Sequence, residues 1–473
     1  MSSRRIQHTP DVDRAAAAIE KAASRLKTRA FMVGGYVRDA LLQRPGKDID
    51  VVVEGGMGSA LAELLVKDAH ARNLVVFPRF GTAELSFEDL VLQFVSARSE
   101  SYAGDSRKPS VRPASLEEDM RRRDFTVNAL MCGADGEVLD LTGQGLADLD
   151  AAILRTPLPA AETFAEDPLR AVRAVRFAVA LDFSMDDQIP PAIAANLDRL
   201  QTVVSVERVN EELRRMVLGP RPGDAVRLLV ETGIGARILP EIVAMSGVRQ
   251  SGFHNLDVMD HTLAAMNHLA RRGGPHLAQP LELRARLGML FHDSGKPATA
   301  DADADGDKIT FYGHPDIGAD VAFAALRRLR FSGDEVDDVA RLVSMHMRPI
   351  QYQPDWGEGA IRRLVRDCGA LLPALMVIAE GDMAASDYPV ADAVEKMTDL
   401  RRRVATVEDD VSHAARSPLD GHSLMQHFGR PGGPWVKVIQ DALVDAILDG
   451  ALPAGDAQAA WSYIDRHPEL VAS

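Results

Sequence analysis

The feature that most constrains this chain is where its strand-type pattern stops. Short β-branched runs are confined to the first hundred residues: AFMV (30–33), DIDVVVEG (48–55), and LVVF, GTAELSF and LVLQFVSAR across 74–98. From about residue 160 onward, apolar residues recur at helical spacing over 166–249 and 257–400, interrupted only by Gly/Pro breaks. Any sheet must therefore be built early. The expectation is an α/β head, a mixed sheet with helices, followed by a long all-α body. An Ala-rich first helix is expected over 11–29, a second over 57–72, and a polar Ser/Pro/Gly loop over 99–115. Further breaks fall at GGPHLAQP (273–280) and GHSLMQHFGRPGGPW (421–435). The domains are read as a head at 1–150, a helical neck at 151–250, a second helical domain at 251–395 and a tail at 396–473.

With 473 residues, 46% hydrophobic and 26% charged, the chain has ample material for sizeable cores and is no disordered or collagen-like polymer. Two cysteines, Cys132 and Cys368, provide neither a disulfide framework nor a C-x-x-C metal spacing. No run of about 18 apolar residues appears, and MSSRRIQHTPDVDR lacks the apolar core of a signal peptide. A cytoplasmic protein with no membrane partner is expected, and nothing points to a protein partner. The net charge of −15 argues by itself against a nucleic-acid partner. Its distribution changes that reading: residues 1–250 hold 32 basic against 36 acidic side chains, and residues 251–473 hold 22 against 33. Local Arg clusters in the first half leave an RNA-binding surface open.

Asp48 and Asp50 stand two apart at the start of a strand, so both side chains leave the same face. Adjacent carboxylates repel unless a cation lies between them. A two-metal phosphoryl-transfer site needs this arrangement, with Mg²⁺ held by one or two carboxylates plus substrate phosphates. Standing alone, D-x-D is an ordinary solvated strand end. Here Gly34 and Gly35 lie upstream between a strand and a helix, where backbone N–H groups can approach phosphate, and Arg38 follows one turn later.

Four blocks in order, VGGYVRDALL with DIDVVV, RRRDFTVNAL (121–130), EDPLRAVRAVRF (166–177) and SVERVNEEL (205–213), resemble the class II tRNA nucleotidyltransferase and bacterial poly(A) polymerase family over about residues 25–250. The resemblance implies template-independent addition of nucleotides to RNA 3′ ends. It implies catalytic Mg²⁺ on Asp48 and Asp50, triphosphate on Gly34, Gly35 and Arg38, and ribose and phosphate contacts at Arg123, Asp124 and Asn128. Glu166, Asp167 and Arg170 match its nucleobase-reading motif. It also implies that the neck, 151–250, reads the base and binds RNA. The logic of that motif stands on its own: a carboxylate accepts and a guanidinium donates, so the pair can replace a template's Watson–Crick edge for cytosine or adenine. On a helix Asp167 and Arg170 would share a face, and Arg170, Arg173 and Arg176 would form a stripe toward triphosphate or RNA. One departure stands out. Many relatives carry a third carboxylate on a later strand, where this chain has Gln93, with Glu88 and Asp89 preceding the strand core.

The second half carries His261, His292-Asp293, His314, His346 and Asp382 spread over about 120 helical residues. LFHDSGKP (290–297), an adjacent His-Asp at a helix end with Lys296 near, resembles the HD phosphohydrolase superfamily. The resemblance implies that these six residues bind one or two divalent metals. Imidazole with carboxylate suits Mn, Fe, Ni or Zn, or a weaker Mg site. It also implies a metal-dependent hydrolase acting on a phosphomonoester or cyclic phosphodiester at an RNA end. His268 and His276 read as ordinary histidines, and Asp382 fits the late position better than Asp387. DADADGD (301–307) begins like a Ca²⁺ loop, but position twelve is Tyr312 where a bidentate Glu belongs, so it reads as an acidic turn.

The leading reading is CCA addition to the tRNA 3′ end from CTP and ATP. Arg107, Lys108 and Arg112 of the 99–115 loop are placed to clamp primer or nucleotide, and Arg401, Arg402 and Arg403 to meet the tRNA body. The competitors are poly(A) synthesis, CC-only or A-only addition, and an HD phosphohydrolase whose inactive head merely binds RNA.

Overall fold

The computed structural model describes residues 4–44, 46–68, 71–77, 81–101, 110–251, 255–272, 277–303, 309–414 and 417–472. Arg107, Lys108, His276 and the second half of DADADGD lie outside them. The chain divides into two compact units, residues 1–216 with 225–238, and residues 217–224 with 239–473.

The first unit opens with α1 (Pro10–Leu26), which has Pro at its start, Asp11 and Asp13 in its first turn and a left-handed cap at Lys27. Its buried stripe of Val12, Ala15, Ala16, Ile19, Ala22 and Ala23 is small enough for close approach to the sheet. Then come β1 (Ala30–Val33), α2 (Gly35–Leu41), β2 (Asp48–Val53) and α3 (Gly58–Asp68). Three strands follow: β3 (Arg72–Phe77), β4 (Thr82–Phe87) and β5 (Leu90–Ser96). After α4 (Leu116–Arg121), closed by a Ser115–Glu118 capping box, β8 (Leu130–Cys132) and β9 (Val138–Asp140) complete the sheet. The stretch between β5 and α4, expected as loop, instead carries a hairpin, β6 (Arg98–Ser101) against β7 (Ser110–Pro113). Backbone pairing there supplies order that the polar composition did not signal.

The seven strands run β3-β4-β5-β2-β1-β8-β9, with β2 and β5 parallel and the other neighbours antiparallel. α1 and α3 cover one face. On the other face Leu116 and Met120 of α4 pack with Val33, Val52 and Met131. Asp48 and Asp50 leave the sheet on that same side, beyond the cover, and the mixed-sheet head is thereby left open at one end of β2. Helices α5 (Gly145–Ala151), α6 (Ala160–Glu166), α7 (Leu169–Leu181), α8 (Ile189–Thr202) and α9 (Val206–Val217) follow.

The second unit is helical, apart from the small pairing of Asp301–Ala302 with Ile309–Thr310. At its centre lies the helix Gln279–Phe291, buried at every residue from Ala285 onward and apolar from Leu287 to Phe291. A helix apolar all round belongs in the middle of a bundle. It packs against the helices Val258–Arg272, His314–Arg328, Gly333–Met345 and Leu372–Ala385. The segment Glu358–Ala385 reaches a mean hydropathy of 1.4, with 61% of its most apolar window buried inside the protein. Gly295 lets the bundle close: a Cβ there would stand 2.2 Å from the His314 carbonyl oxygen. The last helices have a core of their own, including Leu424, Trp435, Ile439, Leu443 and Ile464.

Candidate functional site

In the head, Asp50 lies in register with Val33 on β1 and Gln93 on β5. Between β1 and α2, Gly34 adopts φ +75° and ψ −130°, a conformation open essentially to glycine alone. A Cβ there would lie 3.2 Å from Arg123 Nη1 and 3.7 Å from Asp50 Oδ2, so Gly34 keeps the approach to Asp50 clear. Its N–H donates to the Leu130 carbonyl at 3.1 Å and joins the sheet. The Asp50 carboxyl sits above its ordinary pKa: burial raises it, Arg123 lowers it, Asp48 raises it again and Arg173 lowers it. A pair in that state, made only of oxygens, fits a dication such as Mg²⁺.

Arg38 turns inward. It is buried, donating to both Asp39 oxygens at 2.8 Å and to Asn128 Oδ1 at 2.5 Å, and it lies over the Phe177 ring. Asn128 in turn donates to Asp124 Oδ1 at 3.1 Å, and Arg173 grips Asp124 Oδ2 through Nε at 2.8 Å and Nη2 at 2.5 Å. Arg173 also reaches Glu212 at 3.0 Å, and Arg176 bonds the other Glu212 oxygen. Burial would raise the Asp124 carboxyl, but Arg173 and Asn128 overcome this and hold it at about 2. The arginine stripe of α7 thus faces buried carboxylates.

Asp167 and Arg170 do not share a helix. Asp167 sits in extended backbone, φ −138° and ψ 98°, between α6 and α7. Pro168 explains this, because the residue before a proline is driven out of the helical region. Arg170 pairs with Glu166 at 2.8 Å and bonds the carbonyls of Thr163 at 3.2 Å and Arg122 at 2.7 Å. Both Asp167 oxygens accept from Arg208, at 3.2 and 2.6 Å. A cavity of about 350 Å³ brings Asp167 and Arg170 together with Arg122, Arg123, Arg173 and Arg208. Arg123 links it to the aspartate pair, and its Nε is buried without a hydrogen-bond partner.

In the second unit the six predicted residues come together. His261, His292 and Asp382 form one group, and Asp293, His314 and His346 another, the ligand atoms of each within 4.8 Å of one another. His292 and Asp293 arrive from the end of the central helix, His314 from the start of its own, and His346 from the end of Gly333–Met345. His261 Nε2 lies 3.0 Å from Asp382 Oδ1, and Asp293 lies 3.2 Å from His292 and 3.5 Å from His314. Three rings place Nδ1 against a backbone carbonyl three residues earlier: His292 on Met289 at 2.8 Å, His314 on Phe311 at 2.8 Å and His346 on Val343 at 2.7 Å. With Nδ1 protonated and the ring neutral, each Nε2 offers a lone pair inward. Two such nitrogens, on His314 and His346, face each other at 3.3 Å, and His292 Nε2 faces the Asp293 and Asp382 carboxylates at 3.2 and 3.9 Å. That donor set fits a divalent cation.

Burial pushes His346 down to about 3. Burial also opposes charge on His292, yet Asp293 and Asp382 bring it up to about 9. Lys296 Nζ donates to Asp293 at 2.7 Å and to Gln250 at 2.6 Å. A cavity of about 630 Å³, lined among others by Asp293, Lys296, Tyr312, His314 and Asp382, opens onto the cluster. Asp387 is exposed, and His268 lines a different cavity.

The chain is 33% identical over 435 residues to the CC-adding tRNA nucleotidyltransferase of Thermus thermophilus, a match covering 89% of this chain and 90% of that protein. This chain belongs to the tRNA nucleotidyltransferase family. The A-adding tRNA nucleotidyltransferase of Deinococcus radiodurans is also 33% identical, over 76% of this chain and 80% of that one. The crystal structure of the Bacillus stearothermophilus CCA-adding enzyme in complex with CTP superposes with a TM-score of 0.68 at 25% identity, covering 98% of this chain and 99% of that chain. Family models match as the poly A polymerase head domain over 30–155, a probable RNA- and SrmB-binding site of polymerase A over 182–245, and an HD domain over 258–412.

The head cavity of this tRNA nucleotidyltransferase also draws in residues that the sequence motifs did not single out. Asp119, Arg122, Arg208, Glu212 and Arg215 all line the head cavity. The SVERVNEEL block contains Arg208 and Glu212, so the signal was present, but spacing along one helix does not reveal a partner on another.

Proposed function

We propose that this nucleotidyltransferase adds C and A, without a nucleic-acid template, to the 3′ end of tRNA, taking CTP and ATP as substrates. The observation that carries the reading is Arg123, which joins the Asp48–Asp50 face to the cavity holding Asp167. Asp48 and Asp50 would hold Mg²⁺, whose charge lowers the cost of deprotonating the primer 3′-OH and neutralises the leaving pyrophosphate. Gly34 and Gly35 keep the backbone low beside the nucleotide, and Arg122 and Arg123 draw the triphosphate. Asp167 accepts from the exocyclic amino group of cytosine or adenine, a donor that uracil and guanine lack at that position. Arg170 braces the turn that carries Asp167, while Arg38, Asn128, Asp124, Arg173 and Arg176 fix the cavity wall. The CC-adding and A-adding enzymes of similar sequence support a second reading, partial addition.

The second unit, in the same proposal, is a metal-dependent phosphohydrolase acting on a phosphate at an RNA end. His261, His292, Asp293, His314, His346 and Asp382 would hold Mn, Ni, Fe, Zn or Mg, which polarises phosphate and activates water. Lys296 keeps Asp293 ionised and oriented.

The test is incorporation of CTP and ATP, separately and together, into tRNA ending at its discriminator base, alongside Asp50→Ala. Addition of C, C and A that stops there and falls about 10³-fold in the variant is expected, several kcal/mol of metal stabilisation being lost. Only C or only A selects partial addition, and a long A tail refutes tRNA specificity. For the second unit, metal-loaded protein should hydrolyse bis-p-nitrophenyl phosphate and Asp293→Ala should not; protein that carries no metal and cleaves nothing removes this part.

A further inference from the structure

The open face of the head sheet carries one more polar row. β2, β5 and β4 lie side by side, and Asp50 is in register with Gln93, which is in register with Glu84. Residues opposite one another on neighbouring strands share a face, with strands about 4.8 Å apart. Gln93 is exposed and Glu84 half-buried, on the side where Asp48 and Asp50 emerge. Gln93 Nε2 donates to Glu84 Oε2 at 3.1 Å.

That bond decides which way the amide points. A carboxylate only accepts, so the Gln93 NH₂ must face Glu84. With the NH₂ committed to Glu84, the carbonyl oxygen is the end of the amide left over, on a strand whose other neighbour is β2 with Asp50 in register. Of the two carboxylates in the β4–β5 turn, Glu88 and Asp89, Glu88 stands at φ +53° and is held by Arg14 at 2.8 and 2.6 Å.

We propose that the Gln93 amide oxygen completes the Asp48–Asp50 metal site as a neutral oxygen ligand, and that Glu84 is the positioning residue that orients it. The inference rests on the reading of Asp48 and Asp50 given above. A hard dication accepts amide oxygens beside carboxylates. The exchange leaves two negative charges in the ligand set instead of three, so an incoming triphosphate meets less repulsion. Glu84 keeps its charge one strand further away and acts through the direction of a hydrogen bond.

The experiment is Mn²⁺ binding followed by electron paramagnetic resonance on the full-length protein, with Asp50→Ala as the blank that isolates the head site from the second unit. Glu84→Gln removes the obligate acceptor and lets the amide rotate. Head-site affinity should fall roughly tenfold, the scale of an outer-shell partner, with the thermal midpoint unchanged. The exchanged pair Gln93→Glu with Glu84→Gln presents a carboxylate directly and should bind at least as tightly as wild type, a non-additive result. Glu84→Gln binding within about twofold of wild type, less than 0.5 kcal/mol, would overturn the inference while the Asp48–Asp50 reading stands. So would an exchanged pair no tighter than Glu84→Gln alone. No difference between wild type and Asp50→Ala would bring down both.

Discussion

Arg173 and Asp293 each sit at the middle of a buried charge cluster, yet the two clusters close in different ways. Around Arg173, carboxylates and guanidinium groups of the chain itself are matched, Asp124 and Glu212 each meeting fixed donors. Around Asp293, six ligating side chains converge, and Nε2 lone pairs are left facing one another. The first cluster is matched as folded, and in the proposed reading it is scaffold for a substrate. The second, in the proposed reading, would be completed by a cation. Buried polar groups therefore do not identify a metal site by their number; the uncompensated lone pair does.

Removing the central cation of the self-matched cluster is the hardest way to break this contrast. Arg173→Met strands Asp124 and Glu212 in a buried setting and should cost about 3–5 kcal/mol of stability, read from chemical denaturation. A loss below 1 kcal/mol would mean that water reaches the cluster and that it is not closed. Chelation tests the other side. Stripping divalent metal should remove about 2.7 kcal/mol from the second unit if the ion is present at a hundred times its dissociation constant. Calorimetry should show that transition moving and the head transition moving less; equal shifts would erase the distinction.

Acid sharpens the comparison next. Asp124 is held at about 2, below the ordinary carboxylate value, so its contribution is present above pH 4 and is lost as pH falls toward 2. The loss should be about 2 kcal/mol between pH 4.5 and 2, and Arg173→Met should flatten it. Identical acid profiles in the two proteins would show that Asp124 titrates independently of Arg173. The smallest effect is expected at Arg208, whose half-exposed guanidinium meets Asp167 at the cavity edge. Arg208→Ala should change stability by under about 1 kcal/mol, while kcat/KM for CTP and ATP falls a few-fold. Kinetics with stability unaltered and selectivity unaltered would make the pair incidental.

Much of this was legible before any coordinates. The AFMV and DIDVVV strands, the open D-x-D end and the His-Asp at a helix terminus follow from periodicity and from residue type alone. What escaped lies between elements. Asp167 was assigned to a helix although Pro168 forbids it, an error of local chemistry. Arg38 was expected at a phosphate, and only packing against Asn128 and Phe177 turns it inward. Glu84 carried no signal, because its importance exists only in the β4–β5–β2 register, which no single strand encodes. The hairpin Arg98–Ser101 with Ser110–Pro113 was invisible for a related reason: its strands pair through the backbone, which residue type does not report.

The three histidines that seat Nδ1 on a carbonyl three residues back have a kinetic consequence. Each tautomer is set within a single turn, and each of those turns lies at a helix end. Met289, His292, Val343 and His346 are buried, so these turns open only through local unfolding of the packing around them. A metal held there would exchange with solution on the schedule of that local opening, and hydrogen exchange at Met289–His292, Phe311–His314 and Val343–His346 would keep the same clock.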